Sequence, residues 1–323
     1  MLVACNNNSG DKADQTNEEA ITFRIAFGSC ANQDKPQPLL NVAANLNPDA
    51  FIYLGDNIYG DSRTMDTLQA KYDRLAAKPE FQNLWNSTTV LSIWDDHDFG
   101  PNNCDGNYEN KGITKEVFDD FWVNPNEPHE NGIYYNFKYG DCELFMLDDR
   151  WNRNKDTTKG EKQVLGKEQL KWLKESLEAS TASFKVIAFG NQVLNYYEDL
   201  ESFQQYKKER DELYAFIKEK KINGVVFFSG DRHHAEVIKT QEVGLYPFYD
   251  FTCSALSSWR APWRRFGKEW KNENRIGDIS LKHNYSVVSI SGIENKRVMK
   301  VTYKNKKGKV LMEFTVKQEE ISF

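Results

Sequence analysis

The sequence predicts an α/β domain that ends in antiparallel strands. Short apolar runs alternate with stretches of helical periodicity over most of the chain, and strands that alternate with helices indicate an α/β domain. After residue 284 the alternation stops, and three strand-like runs follow one another. No linker rich in Pro, Gly or Ser divides the chain after residue 20. We therefore expect a single domain over residues 21–323.

Each predicted element is justified by its hydrophobic pattern. The first strand alternates apolar and polar residues, and the following ones are nearly continuous apolar runs, as in strands covered on both faces. In the longest clear helix, Leu170, Leu173 and Leu177 share one face. The predicted strands cover 21–27, 50–54, 89–94, 142–147, 184–189 and 224–228, and in the tail 286–290, 298–303 and 310–316. The predicted helices cover 38–46, 67–77, 166–177 and 202–220.

Composition excludes several classes of protein. The 323 residues include 48 acidic and 42 basic side chains, which gives a net charge of −6. This balance argues against sequence-independent nucleic-acid binding, since such binding depends on Lys and Arg neutralising phosphates. Aromatic residues make up 13% of the chain, which is untypical of disordered proteins. No apolar run reaches the roughly 18 residues of a membrane-spanning helix.

The N-terminus carries a motif for lipid attachment. Leu2-Val3-Ala4-Cys5 resembles a bacterial lipobox, and the polar residues that follow to position 20 are typical of a flexible tether. We therefore expect residues 1–20 to be lipobox and tether of an exported bacterial lipoprotein. It would lie in the periplasm or at the cell surface, anchored to the membrane through Cys5. The alternative is an ordinary frayed terminus.

Polar side chains follow each of the six strands in the α/β part. In open α/β sheets, ligands bind at the carboxyl ends of the strands, so these endings are expected to converge. Singly, each ending could be a turn, a helix cap or a solvated loop; together they predict a metal site built from at least four of them. The six endings are Gly28-Ser-Cys30, Gly55-Asp-Asn-Ile-Tyr59, Asp95-Asp-His-Asp98, Asp148-Asp-Arg150, Gly190-Asn-Gln192 and Gly230-Asp-Arg-His-His234.

The donor types favour two metals over one. Carboxylate oxygens suit Ca, Mg or Mn, whereas thiolate and imidazole suit Fe or Zn. A mononuclear site cannot easily use all of these donors, but two metals that share a bridging carboxylate can. Metal pairs of this kind are typical of phosphate-ester chemistry.

These endings resemble the motifs of the alkaline phosphatase D (PhoD-like) family of calcineurin-like metallophosphatases. The resemblance extends over residues 27 to about 235 and includes Leu165-Gly-Lys-Glu-Gln-Leu-Lys-Trp-Leu173. It implies a two-sheet β-sandwich flanked by helices. Some members carry a separate β domain of roughly a hundred residues before the catalytic part; since about 20 residues precede the first predicted strand, we expect this domain to be lacking here.

The resemblance also implies two sets of metal ligands. One metal, expected to be Fe³⁺, would be held by Cys30, Asp56, Tyr59 and His233. The second, expected to be Ca²⁺, would be held by Asp96, Asn102 and Asp231. Asp56 would bridge the two, and Asp95 is an alternative to Asp96. A Zn²⁺ or Mn²⁺ pair is the alternative metal content.

The activity implied is hydrolysis of phosphate mono- or diesters, as in a phosphodiesterase or alkaline phosphatase, by a hydroxide that the metals activate. We expect His97 to protonate the leaving group and Asp98 to orient its ring. Arg150 would bind the phosphoryl oxygens, and Asn191 would contact the substrate or the second metal. Alternatives are a phospholipase D-like or cell-surface-polymer phosphodiesterase and a non-catalytic phosphate-binding lipoprotein.

One further cluster follows the sixth motif and has two interpretations. It could line the substrate mouth or form a surface patch against the tether. Its members are Trp259, Arg260, Trp263, Arg264 and Arg265. Apart from a phosphate-ester substrate and the lipid anchor, no partner is predicted, and no protein partner in particular.

Overall fold

The structure, a computed structural model, describes residues 23–125, 129–155, 157–197, 201–260 and 268–323. Two mixed β-sheets face each other, and helices flank them. The strands are β1 (Phe23–Gly28), β2 (Ala50–Leu54), β3 (Thr89–Ile93), β4 (Tyr135–Tyr139), β5 (Cys142–Met146), β6 (Phe184–Phe189), β7 (Val225–Ser229), β8 (Ala235–Thr240), β9 (Phe248–Cys253), β10 (Arg275–Ser280), β11 (Tyr285–Ser291), β12 (Val298–Lys304) and β13 (Val310–Lys317). The helices are α1 (Pro38–Ala44), α2 (Met65–Ala76), α3 (Pro79–Ser87), α4 (Asp96–Phe99), α5 (Lys111–Phe121), α6 (Gly166–Ala179) and α7 (Lys207–Glu219).

The first sheet joins the N-terminal strands to the tail. Its strand order is β13-β12-β11-β1-β2-β3. β1, β2 and β3 are parallel, with Phe27 opposite Ile52, whereas β11 pairs antiparallel with β1 and places Ser286 opposite Phe27. The predicted antiparallel tail is confirmed, and its strands complete the sheet that β1 begins.

The second sheet has the order β10-β8-β9-β7-β6-β5-β4. Its central strands β5, β6, β7 and β9 are parallel, and β4, β8 and β10 add antiparallel pairs at the two edges. β5, β6, β7 and β9 are buried along their whole length. The largely apolar sequences of β5, β6 and β7 fit this position, because central parallel strands are covered on both faces.

The two sheets meet near the carboxyl ends of β1 and β7. The rings of Phe27 and Phe228 stack there with centroids 4.3 Å apart, and the Cys253 thiol donates to the carbonyl oxygen of Phe27 at 3.4 Å. The polar residues that follow β1 and β7 are thereby brought to the same end of the sandwich.

Helices α6 and α7 pack beside the second sheet. Leu170, Leu173 and Leu177 are buried, as the periodicity of α6 predicts. The start of α6 is capped from α7, because the Glu209 carboxylate accepts the backbone N–H groups of residues 164, 165 and 166 at 2.7–3.0 Å. None of the described helices has both the length and the apolar character needed to cross a bilayer.

The predicted two-sheet sandwich with flanking helices is confirmed. Each predicted strand and helix has a counterpart in the structure, although the helix predicted from residue 202 begins at Lys207. β4, β8, β9 and β10 and helices α3, α4 and α5 are not among the predicted elements. The predicted lipobox and tether at residues 1–20 lie outside the described residues.

Candidate metal centre

The turns that follow β1, β2 and β7 place their polar side chains in one cluster. Four of these residues have positive φ, a conformation that non-glycine residues rarely adopt: Cys30 (58°), Asp56 (52°), Asp231 (61°) and His233 (56°). Residues with such rarely adopted backbone angles are frequent at functional sites, where the surrounding structure holds them in that conformation. The left-handed turns bend the chain sharply at the point where each strand ends.

Cys30, Asp56 and His233 form one group of potential ligands. One donor atom from each lies within 4.8 Å of the others, and all three residues are buried. The Cys30 thiol donates to Asp56 Oδ2 at 3.3 Å and accepts from the Ser254 hydroxyl at 3.0 Å. The predicted fourth ligand, Tyr59, is adjacent, because its hydroxyl lies 3.0 Å from His233 Nε2.

Two further groups share Asp56. It lies within the same 4.8 Å limit of Asp96 and His97, and separately of Asp95 and Asp231. Its carboxylate is buried, and among the described residues Oδ1 has no hydrogen-bond partner. A fourth group, Asp95, Asp96 and Glu201, does not include Asp56. Asp56 is therefore the carboxylate common to three of the four groups found among the described residues, which is the position that a bridging ligand requires.

The electrostatics of the cluster fit a cation. Burial, together with the neighbouring charges of Asp96 and Asp231, raises the pKa of Asp56 well above its usual value. Burial and the Asp56 carboxylate likewise raise the pKa of the Cys30 thiol. Buried like charges with an unpartnered oxygen are costly unless a positive charge neutralises them. The donor set of carboxylates, imidazole, thiol and phenol also suits metal ions.

His97 is held by Asp61, and not by Asp98 as predicted. His97 Nδ1 lies 2.7 Å from Asp61 Oδ1. Although burial acts in the opposite direction, the carboxylates of Asp56 and Asp61 raise the pKa of His97 to about 10. The Asp98 carboxylate instead accepts the backbone N–H of Asn57, at 3.1 Å, and other local donors. The orienting role predicted for Asp98 is therefore wrong, because its side chain supports the turn after β2.

Arg150 does not occupy the position expected of a substrate contact. Its side chain is fully buried, with Nε 2.6 Å from Asp95 Oδ1 and Nη2 2.6 Å from Glu201 Oε2. Asn191 belongs to the same buried network, since its amide donates to Asp95 Oδ2 at 3.0 Å and accepts from Arg153 Nη1 at 2.8 Å. Both predicted substrate-binding residues thus contact Asp95, which itself belongs to two of the groups of potential ligands.

The remaining predicted ligands lie at the rim. Asp231 is half-buried and belongs to a ligand group with Asp56 and Asp95.

Asn102 is exposed, and within the described residues no hydrogen bond joins its side chain to the cluster. It lines a neighbouring cavity of about 460 Å³ together with Asn103, Arg153 and Glu201. The backbone N–H of Asn103 donates to Asp96 Oδ2 at 2.7 Å, which ties this loop to the cluster.

Several residues of the site are missing from the sequence-based prediction. Asp61 lies two residues after Tyr59, the last residue of the second strand ending, so its closeness to that ending is a usable signal. Glu201 and Arg153 belong to no strand ending, and Ser254 and Ser258 follow β9, a strand that the pattern does not predict.

Trp263, Arg264 and Arg265 lie outside the described residues, whereas Trp259 and Arg260 are exposed.

The fold and the strand-end cluster together define a metallophosphatase-like protein: two mixed sheets, flanking helices, and metal-binding side chains at the converging strand ends. Sequence comparison specifies the family. A family model described as PhoD-like phosphatase matches residues 25–323, and the chain belongs to this family.

Individual relatives agree with this assignment. Alkaline phosphatase D of Bacillus subtilis is 29% identical over 275 residues, an alignment that covers 67% of this chain and 46% of the relative. The chain thus spans less than half of that protein. A solved structure of PhoD superposes with a TM-score of 0.74 at 17% identity, covering 94% of this chain and 71% of the other. The structure of a purple acid phosphatase from yellow lupin seeds superposes with a TM-score of 0.65 at 13% identity, covering 93% of this chain and 54% of the other. The two superpositions show that the fold is shared.

Proposed function

We propose that this protein hydrolyses phosphate esters at a two-metal centre bridged by Asp56. The observation that carries the proposal is the membership of Asp56 in three groups of potential ligands. Cys30, Tyr59 and His233 lie on one side of it, and Asp96 and Asp231 belong to groups that do not include them. When bound, a metal pair supplies positive charge to a phosphoryl group and Lewis acidity toward water.

The two sets of donors differ in chemistry. The thiol and phenol beside His233 suit Fe³⁺, and the carboxylates on the other side suit Ca²⁺. Asn102 could join the second set from the cavity rim. Family membership and the donor types support this Fe³⁺/Ca²⁺ assignment over the alternative Zn²⁺ or Mn²⁺ pair.

Of the two adjacent carboxylates, Asp96 is the better candidate ligand. Both oxygens of Asp95 already accept hydrogen bonds, Oδ1 from Arg150 and Oδ2 from Asn191. In Asp96, Oδ2 accepts one backbone N–H, and within the described part of the chain the neighbour recorded for Oδ1 is the Arg150 guanidinium at 3.7 Å. Asp96 therefore keeps more lone pairs for a cation.

His97 is the residue that would hold the proton for the leaving group. Asp61 occupies Nδ1, which leaves Nε2 for a substrate oxygen. The ring also packs against Tyr59 with centroids 4.2 Å apart, so it is confined beside a candidate ligand. Asp61 fixes the orientation of the ring and thereby takes the role that the sequence assigns to Asp98.

Metal content and hydrolysis, measured on the same preparations, test the proposal. The wild type should contain about one iron and one or more calcium ions per chain, and it should hydrolyse p-nitrophenyl mono- or diesters. Cys30→Ser should lose iron and activity together. Cys142→Ser is the matched control, because Cys142 is equally buried but lies at the start of β5, away from the strand ends.

His97→Ala separates a proton donor from a ligand. A general acid contributes roughly 10²–10⁴-fold to the rate, so the variant should lose that factor while keeping its metals. Loss of metal together with activity would make His97 a ligand. A wild type that shows no stoichiometric metal after reconstitution would refute the two-metal proposal.

Export as a lipoprotein anchored through Cys5 is a separate proposal that is supported by the lipobox resemblance. Mass spectrometry of the N-terminal peptide from the native cells tests it. A diacylglycerol-modified Cys5 is expected, and an unmodified thiol on the mature protein would contradict it.

A further inference from the structure

Trp259 is a large aromatic side chain that remains half exposed although it lies against a candidate metal ligand. Its side chain is 50% exposed. Its ring contacts His233 with centroids 4.4 Å apart and ring planes at 81°. An exposed Trp carries a large apolar surface in water, and here that surface borders the metal centre.

The backbone that carries Trp259 is fixed to the same centre. The N–H groups of Ser257 and Ser258 donate to the carbonyl oxygen of Cys30 at 3.2 and 3.0 Å. On the other side, His283 Nε2 lies 2.8 Å from the Ser258 carbonyl oxygen. The segment that ends at Trp259 is thus tied to Cys30 and to His283, which lies two residues before β11.

The side chain before Trp259 adds a third attachment. The Ser258 hydroxyl lies 3.3 Å from His233 Nε2, and Ser258 is buried. The backbone at Trp259 is therefore held relative to both Cys30 and His233, and the indole ring rests on His233. A binding surface that is held in place before the ligand arrives loses little entropy on binding.

We propose that Trp259 is a binding subsite for a planar ring in the ester group of the substrate, as in aryl or nucleoside phosphate esters. This inference rests on the proposed hydrolysis of phosphate esters. With the phosphoryl group at the metal centre, a ring attached through the ester oxygen can lie against the exposed surface of the indole. Stacking of one base on an aromatic side chain contributes roughly tenfold or more to binding.

The test compares four phosphate esters that differ in the ester group: phenyl, adenosine, glycerol and choline. For each, kcat and KM are measured on the metal-loaded wild type, Trp259→Leu and Trp259→Phe, with product quantified by chromatography. The mono- or methyl diester is used according to which form the wild type hydrolyses. Differences in leaving group cancel, because each variant is compared with the wild type on the same ester.

The expected result is a change in selectivity. In Trp259→Leu the ratio of kcat/KM for the phenyl and adenosine esters to that for the glycerol ester falls about tenfold. The change lies mainly in KM, as for a contact made equally in the ground and transition states. Trp259→Phe keeps most of the ratio. The phenyl and adenosine esters then show whether an aryl group suffices or a nucleoside is preferred.

Phe323→Leu is the control for loss of an exposed aromatic ring. Phe323 is 46% exposed and packs on Tyr246. It is tied to Asn223, just before β7, at the end of the sandwich opposite to the metal centre. Its selectivity should equal that of the wild type.

Other outcomes overturn the inference. An equal loss for all four esters would make Trp259 a positioning residue for His233, and a loss confined to the choline ester would indicate a cation–π site. If the wild type hydrolyses none of the esters, the proposed function fails by itself. Calorimetric titration of the same esters into the metal-loaded protein then decides whether Trp259→Leu weakens binding of the ring esters alone; equal affinities for wild type and variant would refute the subsite.

Discussion

Replacing Asp56, the proposed bridging carboxylate, by its neutral isostere Asn should stabilise the metal-free protein and remove its response to metal. In Asp56→Asn the size of the side chain is retained and one buried charge disappears. Asp56 lies in every ligand group that includes Cys30, His97 or Asp231. The substitution therefore affects both proposed metal positions while leaving the other ligands in place.

The magnitude for the metal-free state follows from burial. Asp56 is 1% exposed, and its Oδ1 has no partner within the described residues. The amide keeps this polar atom but not the charge, so what the substitution removes is repulsion from Asp96 and Asp231, which have carboxylate oxygens within 4.8 Å. Two like charges at about that distance repel by roughly 1–3 kcal/mol for an effective dielectric constant between about 80 and 20. For a chain of this length 1 kcal/mol corresponds to about 2 °C in Tm. Metal-free Asp56→Asn should therefore melt about 2–6 °C above the metal-free wild type.

The rise in melting temperature that metal binding should cause follows from mass action. A ligand that binds only the folded protein stabilises it by about 4 kcal/mol at a free concentration about 1,000 times its Kd, or about 8 °C here. The wild type should gain this shift when calcium or iron is restored. Asp56→Asn should gain less than about 2 °C, so the order of the two melting temperatures reverses on loading.

Thermal unfolding of chelator-treated and reconstituted protein provides the assay. Asp250→Asn is the control, because Asp250 is equally buried but accepts its hydrogen bonds from Ser229, Val193 and Leu194. It should lower Tm in both states and keep the metal-induced shift. If Asp56→Asn responds to metal as fully as the wild type does, Asp56 is not a ligand and the bridging argument fails.

Three further predictions concern the scaffold. In Gly224→Ala the new Cβ would lie 2.1 Å from the Ser183 carbonyl oxygen, at a position whose φ is +83°. Overpacking of this kind costs about 2 kcal/mol, so Tm should fall by about 4 °C or more. An unchanged melting curve would contradict this. Glu209→Ala leaves three backbone N–H groups at the start of α6 without their acceptor. Denaturant unfolding should show that the free energy of unfolding falls by about 3 kcal/mol or more. A decrease below about 1 kcal/mol would mean that water replaces the carboxylate. Hydrogen bonds from Ser183 and the charge of Arg297 lower the pKa of Asp141 despite partial burial, so the stability it contributes is present above about pH 4 and disappears as the pH falls through its folded-state pKa. Asp141→Asn should accordingly be less stable than the wild type at pH 7, and the difference should shrink toward pH 3; a constant difference across this range would exclude the linkage.

The strands that carry the site could be predicted because each combines an apolar run with a polar ending. β2, β6 and β7 are buried at every position, so their sequences contain little but apolar residues. β9 is equally buried but includes Asp250, and its hydrogen bonds come from a segment more than 50 residues away in sequence. The edge strand β10 contains exposed Gly277 and Asp278, which weaken any strand pattern. Such strands are specified by their neighbours.

The partner of His97 could not be chosen from adjacency in sequence. His97 and Asp98 are consecutive in the short helix α4, and consecutive side chains on a helix do not face each other. Asp98 therefore points to the backbone of Asn57 and to the Tyr72 hydroxyl. Asp61 reaches His97 because the left-handed turn after Tyr59, with φ of 45° at Asp61, bends the chain back toward α4.

Arg150 shows a second limit of inference from motifs. An Arg at a strand end beside predicted metal ligands is compatible with phosphate binding, and its burial is not visible in the sequence. What decides its role is Glu201, which pairs with Arg150 at 2.6 Å and with Arg153 at 3.1 Å from a position about 50 residues later in the chain. The two carboxylates of Asp95 and Glu201 pair with the guanidinium of Arg150 and offset the cost of burying its charge.

Backbone conformation links the fold to the chemistry of the centre. Among the described residues nine non-glycine positions have positive φ, and five of them are Cys30, Asp56, Asp61, Asp231 and His233. Glycine would adopt these conformations without strain, so the side chains are retained at an energetic cost of roughly 1 kcal/mol or more each. The candidate site accounts for that cost, since a glycine would remove a potential metal ligand at four of these positions and the partner of His97 at Asp61. The strained turns, and an oxygen of Asp56 that has no partner among the described residues, therefore both agree with the proposed metal centre, in which stability at the strand ends is given up to bring candidate ligands together.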